Sequence, residues 1–202
     1  MRNRTENQIT LVLIRHGATN ANREHRYLGK TDEDLSPEGI RELETYKSRE
    51  CYPQIDVLFT SPMKRCVRTA EIIYPGLEPE QVECWEEIDF GSFEGKNYKE
   101  LQGDVRYQAW IDSGGRLPFP EGESREEFMA RCDRGFLKML RSVNEMNHQK
   151  IGMVVHGGTI MALLSIYGGG DYFEYRAENG RGYVCTVKNG ENGPEISGIR
   201  EI

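Results

Sequence analysis

The chain alternates short apolar runs with longer stretches of helical periodicity. "ITLVLIRH" (residues 9–16), "IDVLFTS" (55–61), "QVECW" (81–85) and "KIGMVVH" (150–156) have the length expected of strands, the first and last being the most apolar. "LSPEGIRELETYKSRE" predicts a helix with Ser36 as N-cap and Pro37 at the first helical position, running to about residue 49. "SPMKRCVRTAEIIY" repeats the device with Ser61 and Pro62. In "ESREEFMARCDRGFLKMLRSVNEM", Ser124 and Glu127 have capping-box spacing, and Phe128, Cys132, Met139, Leu140 and Val143 recur at helical intervals as a core-facing stripe. "GGTIMALLSIY" predicts a helix directly after the fourth strand, and "GYVCTVKNGENGPEISGIREI" a closing hairpin around its Asn-Gly turns. Strands alternating with helices predict an α/β fold, a three-layer α/β/α sandwich on a mostly parallel central sheet, with residues 1–202 as one domain. Between about 93 and 123 the pattern breaks into short helices interrupted by Gly and Pro, which predicts a lid-like excursion over the strand ends.

Charge and cysteine content narrow the classes of function. Lys+Arg number 26 against 33 Asp+Glu, a net charge of −7, which argues against general affinity for nucleic acid or an anionic membrane. An anionic ligand must therefore meet a local positive pocket. The five cysteines (Cys51, Cys66, Cys84, Cys132, Cys185) are spread out with no C-x-x-C pair, which suggests buried or incidental thiols rather than a disulfide set or a zinc site. The amino end is polar, and no stretch approaches the ~18 apolar residues of a membrane span, so a cytoplasmic protein is expected.

Four strand ends carry the chemistry-bearing residues. Arg15-His16 follows the first strand, Ser61 to Arg65 the second, Glu86-Glu87 the third, and His156-Gly157-Gly158 the fourth. Taken alone, Arg15-His16-Gly17 reads equally as an ordinary loop start. In a parallel sheet, however, these ends converge on one rim, and two arginines, two histidines and a carboxylate there suit a phosphoryl group. Guanidiniums match phosphate oxygens, and the amides opening the helix at Gly157-Gly158 add donors. His16, with Arg15 opposing its protonation, fits the nucleophile, and Glu87 the general acid, preferred over Glu86 because it adjoins the Ile88-Asp-Phe-Gly turn. His25 and His148 lie in polar stretches and read as solvated. No spaced metal-ligand cluster occurs, and no metal or cofactor is expected.

Together "RHGATNAN", "SPMKRCVRTAEII", "EEIDFGSFEG" and "VVHGGTI" resemble the histidine phosphatase superfamily, also called phosphoglycerate mutase-like, over about residues 9 to 166. The resemblance implies that His16 is phosphorylated, that Arg15, Arg65 and His156 bind the phosphoryl group with Asn22 adding a contact, and that Glu87 donates the proton. Two departures stand out: Ala18 where the family often has Glu, and Cys66-Val67 where a small Ala often follows the arginine, expected to affect helix packing more than activity. Relative to the mutases the excursion is short, and Arg116 stands alone among Gly, Leu and Pro in "GGRLPFP", a thin basic complement that favours loss of the phosphoryl group to water. "RYLGKTDEDLS", "FGSFEGKNYKEL" and "FPEGES" are similar to α-ribazole phosphatases of cobalamin synthesis. The substrate expected is a small phosphorylated metabolite with a largely neutral remainder, α-ribazole 5′-phosphate first. Tyr27, Tyr98, Tyr107 and Trp110 read as packing the lid or stacking on a base. A broad sugar-phosphate phosphatase, a phosphoglycerate mutase and a silent phospho-ligand sensor are the alternatives, and a homodimer is compatible with the sequence.

Overall fold

The computed structural model describes residues 8–146, 148–190 and 193–202. Its centre is a sheet of β1 (Ile9–Arg15), β2 (Val57–Thr60), β3 (Glu80–Gln81), β4 (Lys150–Val155), β5 (Gly182–Gly190) and β6 (Gly193–Glu201). The spatial order is β3-β2-β4-β1-β5-β6, and β1 to β4 run parallel while β5 runs against both of its neighbours. The helices are α1 (Asn20–Arg23), α2 (Pro37–Ser48), α3 (Lys64–Ile73), α4 (Val105–Asp112), α5 (Arg125–Met146) and α6 (Gly157–Tyr167). No helix of the described residues is long and apolar enough to cross a membrane.

Strand β1 is apolar throughout because both its faces are covered. Leu11 and Leu13 belong to one core with Phe128, Phe136 and Met139 of α5 and Ile160 and Leu163 of α6. Val12 and Ile14 belong to a second core with Leu43 of α2 and Cys66, Ala70 and Ile73 of α3. These are the three layers that the alternation of elements predicts. The predicted stripe on α5 is buried at every named position.

Capping explains where the helices start. Ser36 accepts the Gly39 N–H at 3.0 Å, with Pro37 at the first position of α2. The Ser124–Glu127 box closes both ways, Ser124 N–H to Glu127 Oε2 at 2.9 Å and Glu127 N–H to Ser124 Oγ at 3.1 Å. Helix α3 differs from expectation: it starts at Lys64 and is not capped by Ser61, whose hydroxyl lies 2.8 Å from His156 Nε2. Asp32 caps it from a distant loop instead, accepting the Lys64 N–H at 2.8 Å.

The "QVECW" strand is also corrected. Only Gln81 of it lies in β3, and Glu83–Trp85 forms a 3₁₀ turn. The cause is Trp85, which is fully buried and donates its Nε1–H to the Cys132 carbonyl at 3.2 Å, pulling the chain out of the sheet toward α5. The predicted hairpin is present as β5–β6, paired as far as Gly190 with Gly193, and residues 191–192 at its tip lie outside the described residues.

The excursion after β3 holds α4 and an aromatic cluster. Trp110 packs on Phe119 and Phe90 on Phe119, each pair 4.9 Å between centroids, and Tyr27 lies 5.1 Å from Phe90. The excursion returns beside its own start: Ser92 N–H donates to the Pro120 carbonyl at 2.8 Å and Glu123 N–H to the Asp89 carbonyl at 2.9 Å. Gly91 at that crossing has φ +52°, and a Cβ there would stand 2.2 Å from the Pro120 oxygen.

Trp85 also needs room on α5. A Cβ at Gly135 would stand 2.6 Å from Trp85 Nε1 and 3.1 Å from Cys84 Cβ. Gly135→Ala gains ~1 kcal/mol of helix propensity but overpacks a rigid ring, which costs ~1–3 kcal/mol. The expected outcome is net destabilisation in urea denaturation; an unchanged or raised midpoint would show that the ring can shift.

Candidate active site

Because β1, β2 and β4 are parallel, their carboxyl ends deliver Arg15-His16, Ser61 and His156 to one edge of the sheet. The His16 and His156 rings meet edge to face, 5.2 Å between centroids, and both are almost wholly buried. His16 Nδ1 lies 2.8 Å from the Gly17 carbonyl. A carbonyl only accepts, so Nδ1 carries the proton and Nε2 keeps its lone pair. His156 is held by Ser61 and by Cys66, whose sulfur is 3.6 Å from Nε2. Cys66 thus touches the His156 ring while packing in the core with Leu43, Ala70 and Ile73.

Arg65, in the first turn of α3, is fully buried. Its Nη1 and Nη2 donate to the carbonyls of Thr31 and Gly29, both at 2.9 Å. The Glu94 carboxylate in turn accepts the N–H groups of Gly29 at 2.9 Å and Thr31 at 3.0 Å, which fixes that loop. Arg15 donates Nη1 to the Ala177 carbonyl at 2.9 Å. The Nε atoms of both arginines are buried without a partner, two donors available to an anion.

Asn22 caps α1 reciprocally with Thr19 and accepts a hydrogen bond from Asn179 at 3.1 Å, beside Arg15 in a neighbouring hollow. Its amide oxygen is thus engaged, and the amide N–H₂ is its donor toward a ligand. Gly157 opens α6, where a Cβ would stand 3.5 Å from Arg15 Nε. Glu87 accepts the Ile88 N–H at 2.9 Å and packs so closely on Gly158 that a Cβ there would be 2.5 Å from Oε1. Glu86 is exposed, as is His25, and His148 is partly exposed. Among the described residues no group of three or more His, Cys, Asp or Glu is placed to hold a metal ion.

The environment divides these groups electrically. Burial, then the charges of Arg65 and Arg15, holds His16 well below the usual imidazole range. Burial followed by the Arg65 charge does the same to His156. Glu87 moves the other way: burial raises it above the usual carboxylate range, against the opposing pull of backbone N–H groups and both arginines. A neutral imidazole with a free lone pair therefore sits near a carboxyl group biased toward its acid form.

A cavity of about 320 Å³ opens onto Arg15, Glu87 and Gly157-Gly158, walled by Tyr27, Phe90, Trp110 and Phe119. Tyr107 stacks on Trp110 and serves the lid's own packing, while Tyr98 is 55% exposed and takes no part. The sequence pointed to Arg116, alone in "GGRLPFP", as the arginine near the substrate's remainder. In the structure Arg116 lines an adjoining groove that shares Arg125, Tyr172 and Phe173 with the cavity, and the cavity itself is lined by Arg125 and Arg176, flanking Phe173 at 6.0 and 5.2 Å. Neither has a carboxylate partner within ion-pair distance among the described residues. Position alone identifies them, since Arg125 opens α5 and Arg176 lies 51 residues further on, before β5.

Comparison with known proteins gives one family. Residues 11–200 match the family described as Histidine phosphatase superfamily (branch 1). Similar curated proteins include an uncharacterized phosphatase, PhoE, of Bacillus subtilis (33% identical, covering 80% of this chain and 78% of that one). A 2,3-bisphosphoglycerate-dependent phosphoglycerate mutase of Rhizobium rhizogenes is 31% identical, covering 78% of each chain. The fold is that of the α-ribazole phosphatase of Shigella flexneri (TM-score 0.78, 22% identity, 94% of this chain and 95% of that one). It is also that of a phosphoserine phosphatase of Entamoeba histolytica, solved as a mutant in complex with phosphoserine (TM-score 0.76, 25% identity, 95% and 96% covered).

The buried imidazoles carry a stability consequence. Their folded pKa values lie below the unfolded value of about 6.5, so the unfolded chain binds more protons and stability falls as pH drops below about 6.5. Glu87, with a raised pKa, acts in the opposite sense at the acid end of this range. The difference between wild type and His16→Asn isolates the effect: between pH 7 and 5.5 the wild-type unfolding free energy should fall more steeply, by up to about 1.4 kcal/mol per pH unit. Parallel pH dependences in urea titrations would contradict a neutral, buried His16.

Proposed function

The chain belongs to the histidine phosphatase superfamily (branch 1), enzymes acting on phosphate monoesters, and from that premise we propose that this pocket hydrolyses α-ribazole 5′-phosphate through a phosphohistidine on His16. The observation that carries the reading is the aromatic-walled cavity ending at Arg15 and Glu87, beside a neutral His16 whose Nε2 lone pair is free. In the first step that lone pair attacks phosphorus and the P–O ester bond breaks. Glu87 gives its proton to the leaving alkoxide. In the second step the Glu87 carboxylate takes a proton from water, the hydroxide attacks phosphorus, and the P–N bond breaks to regenerate His16 and release phosphate. Arg15, Arg65, His156, Asn22 and the amide of Gly157 hold the non-bridging oxygens, where charge-assisted donors act most strongly in a dry site.

The walls formed by Tyr27, Phe90, Trp110 and Phe119 suit a planar, neutral base, and binding energy from that base orients the phosphoryl group for attack. A second reading rests on Arg125 and Arg176: two cations without carboxylate partners among the described residues favour a remainder carrying a carboxylate, as in phosphoserine or 3-phosphoglycerate.

Steady-state assays in EDTA of α-ribazole 5′-phosphate, phosphoserine, 3-phosphoglycerate and fructose 2,6-bisphosphate decide between them by kcat/KM. The expected order places α-ribazole 5′-phosphate first; a ten-fold preference for phosphoserine moves the assignment to the second reading. Mutase activity stimulated by 2,3-bisphosphoglycerate would overturn both. His16→Ala is expected to abolish turnover and the acid-labile phosphate trapped on quenching, and Arg65→Ala to cost ~10² in kcat/KM, on the order of 3 kcal/mol. Glu87→Gln should slow alkyl phosphates more than aryl phosphates, which need less protonation of the leaving group.

A further inference from the structure

The carboxylate of Glu87 is held at its tip, by the N–H of its neighbour Ile88 and by that of Gly158 at the start of α6. Those bonds hold the carboxylate and leave the backbone of the loop that carries it to be fixed by other groups. That loop follows the 3₁₀ turn at Trp85, and its carbonyls at Cys84, Glu86 and Glu87 accept no backbone N–H among the described residues.

All three carbonyls converge on one guanidinium. Arg131 of α5 donates Nη1 to Cys84 O at 3.0 Å and Glu86 O at 2.7 Å, and Nη2 to Glu87 O at 2.9 Å. Its remaining N–H groups go to Glu123, Nε to Oε1 at 2.7 Å and Nη2 to Oε2 at 2.9 Å. The five bonds account for the five N–H donors of an arginine. The ion pair is largely enclosed, its side chains 18% and 16% exposed, and the guanidinium lies 4.7 Å from the Phe128 ring centre. Glu123 is the returning end of the excursion, and its carboxylate also accepts the Asp89 N–H at 3.3 Å.

From this geometry we infer that Arg131, braced by Glu123, is the positioning residue of Glu87: it holds the acid's loop in register with His16 and ties that register to the closed path of the excursion. The inference rests on the proposed role of Glu87 as general acid. Lysine cannot replace the fork, because an ammonium has three donors and no fixed plane to span three carbonyls and a carboxylate.

The test measures kcat/KM, which reports steps through formation of the phosphohistidine, on an alkyl phosphate and on p-nitrophenyl phosphate. Arg131→Lys is expected to lose ~10-fold or more on the alkyl ester but less than ~3-fold on the aryl ester, since a displaced acid matters only where the leaving group needs its proton. Glu123→Gln should show the same selectivity to a smaller degree, and it decides the matter if Arg131→Lys does not fold. Arg134→Ala, an exposed neighbour on α5, is the control and should change neither substrate. In a Glu87→Gln background, Arg131→Lys should add no further selective loss. Equal losses on both esters, or a lowered thermal midpoint with unchanged selectivity, would overturn the positioning role. If Glu87→Gln itself fails to discriminate the esters, the acid assignment falls and the positioning role with it; a discriminating Glu87→Gln beside an indifferent Arg131→Lys removes the positioning role alone.

Discussion

A buried cation without a paired carboxylate organises this end of the sheet. Arg65 is fully enclosed, and among the described residues no carboxylate lies within ion-pair distance of it; two backbone carbonyls receive its Nη groups and Nε goes without. Such a group is expensive to bury, and the elements around it are what keep it there. Glu94 fixes the Gly29–Thr31 loop that supplies the carbonyls, and Asp32, in the same loop, caps the helix that supplies the arginine. The same positive field adds to burial in keeping His16 and His156 unprotonated. In the proposed reading an anion entering the pocket supplies the missing counter-charge, so the cost of holding Arg65 there and the affinity proposed for phosphate have one origin.

Much of this was legible in the chain because the key residues are fixed by local structure. A strand that ends at Arg15 just before Gly17 must present Arg15 and His16 at its end, and the helix opening at Gly157 must present its amides beside His156. What the sequence could not reveal lies in backbone atoms and in distant pairings. The carbonyls of Gly29 and Thr31 are invisible to any reading of side chains. Ser61 had the spacing of a helix cap, but its hydroxyl was claimed by a histidine 95 residues away. "QVECW" carries strand-like residues, and a single tryptophan side chain reaching for α5 outweighed their local preference.

Net charge was informative only at the scale of the whole molecule. A chain at −7 still gathers Arg15, Arg65, Arg125 and Arg176 toward one end of the sheet, three of them taken from helices and loops that look unrelated in sequence. Reading "GGRLPFP" for its cation selected Arg116, which lines the adjoining groove and not the cavity. The aromatic cluster followed the simpler rule: Tyr107 stacks on Trp110 within the lid, and only the inward edges of Tyr27, Phe90, Trp110 and Phe119 remain for a ligand.

The segment before β5 bears on how the site comes into being. Ala177 receives Arg15, Asn179 donates to the His16 carbonyl at 3.0 Å, and the Gly180 N–H reaches the Arg15 carbonyl at 2.9 Å, contacts that join opposite ends of the chain. Contacts of such separation, like the β1–β5 pairing itself, carry a large loop-closure entropy and are rewarded only after the intervening sheet has formed. During synthesis, β1 with its histidine leaves the ribosome long before the strap that orients it. The imidazole proposed as nucleophile thus spends that interval without its clamp, and a complete site arrives as a late event of folding, delayed until the last strands dock.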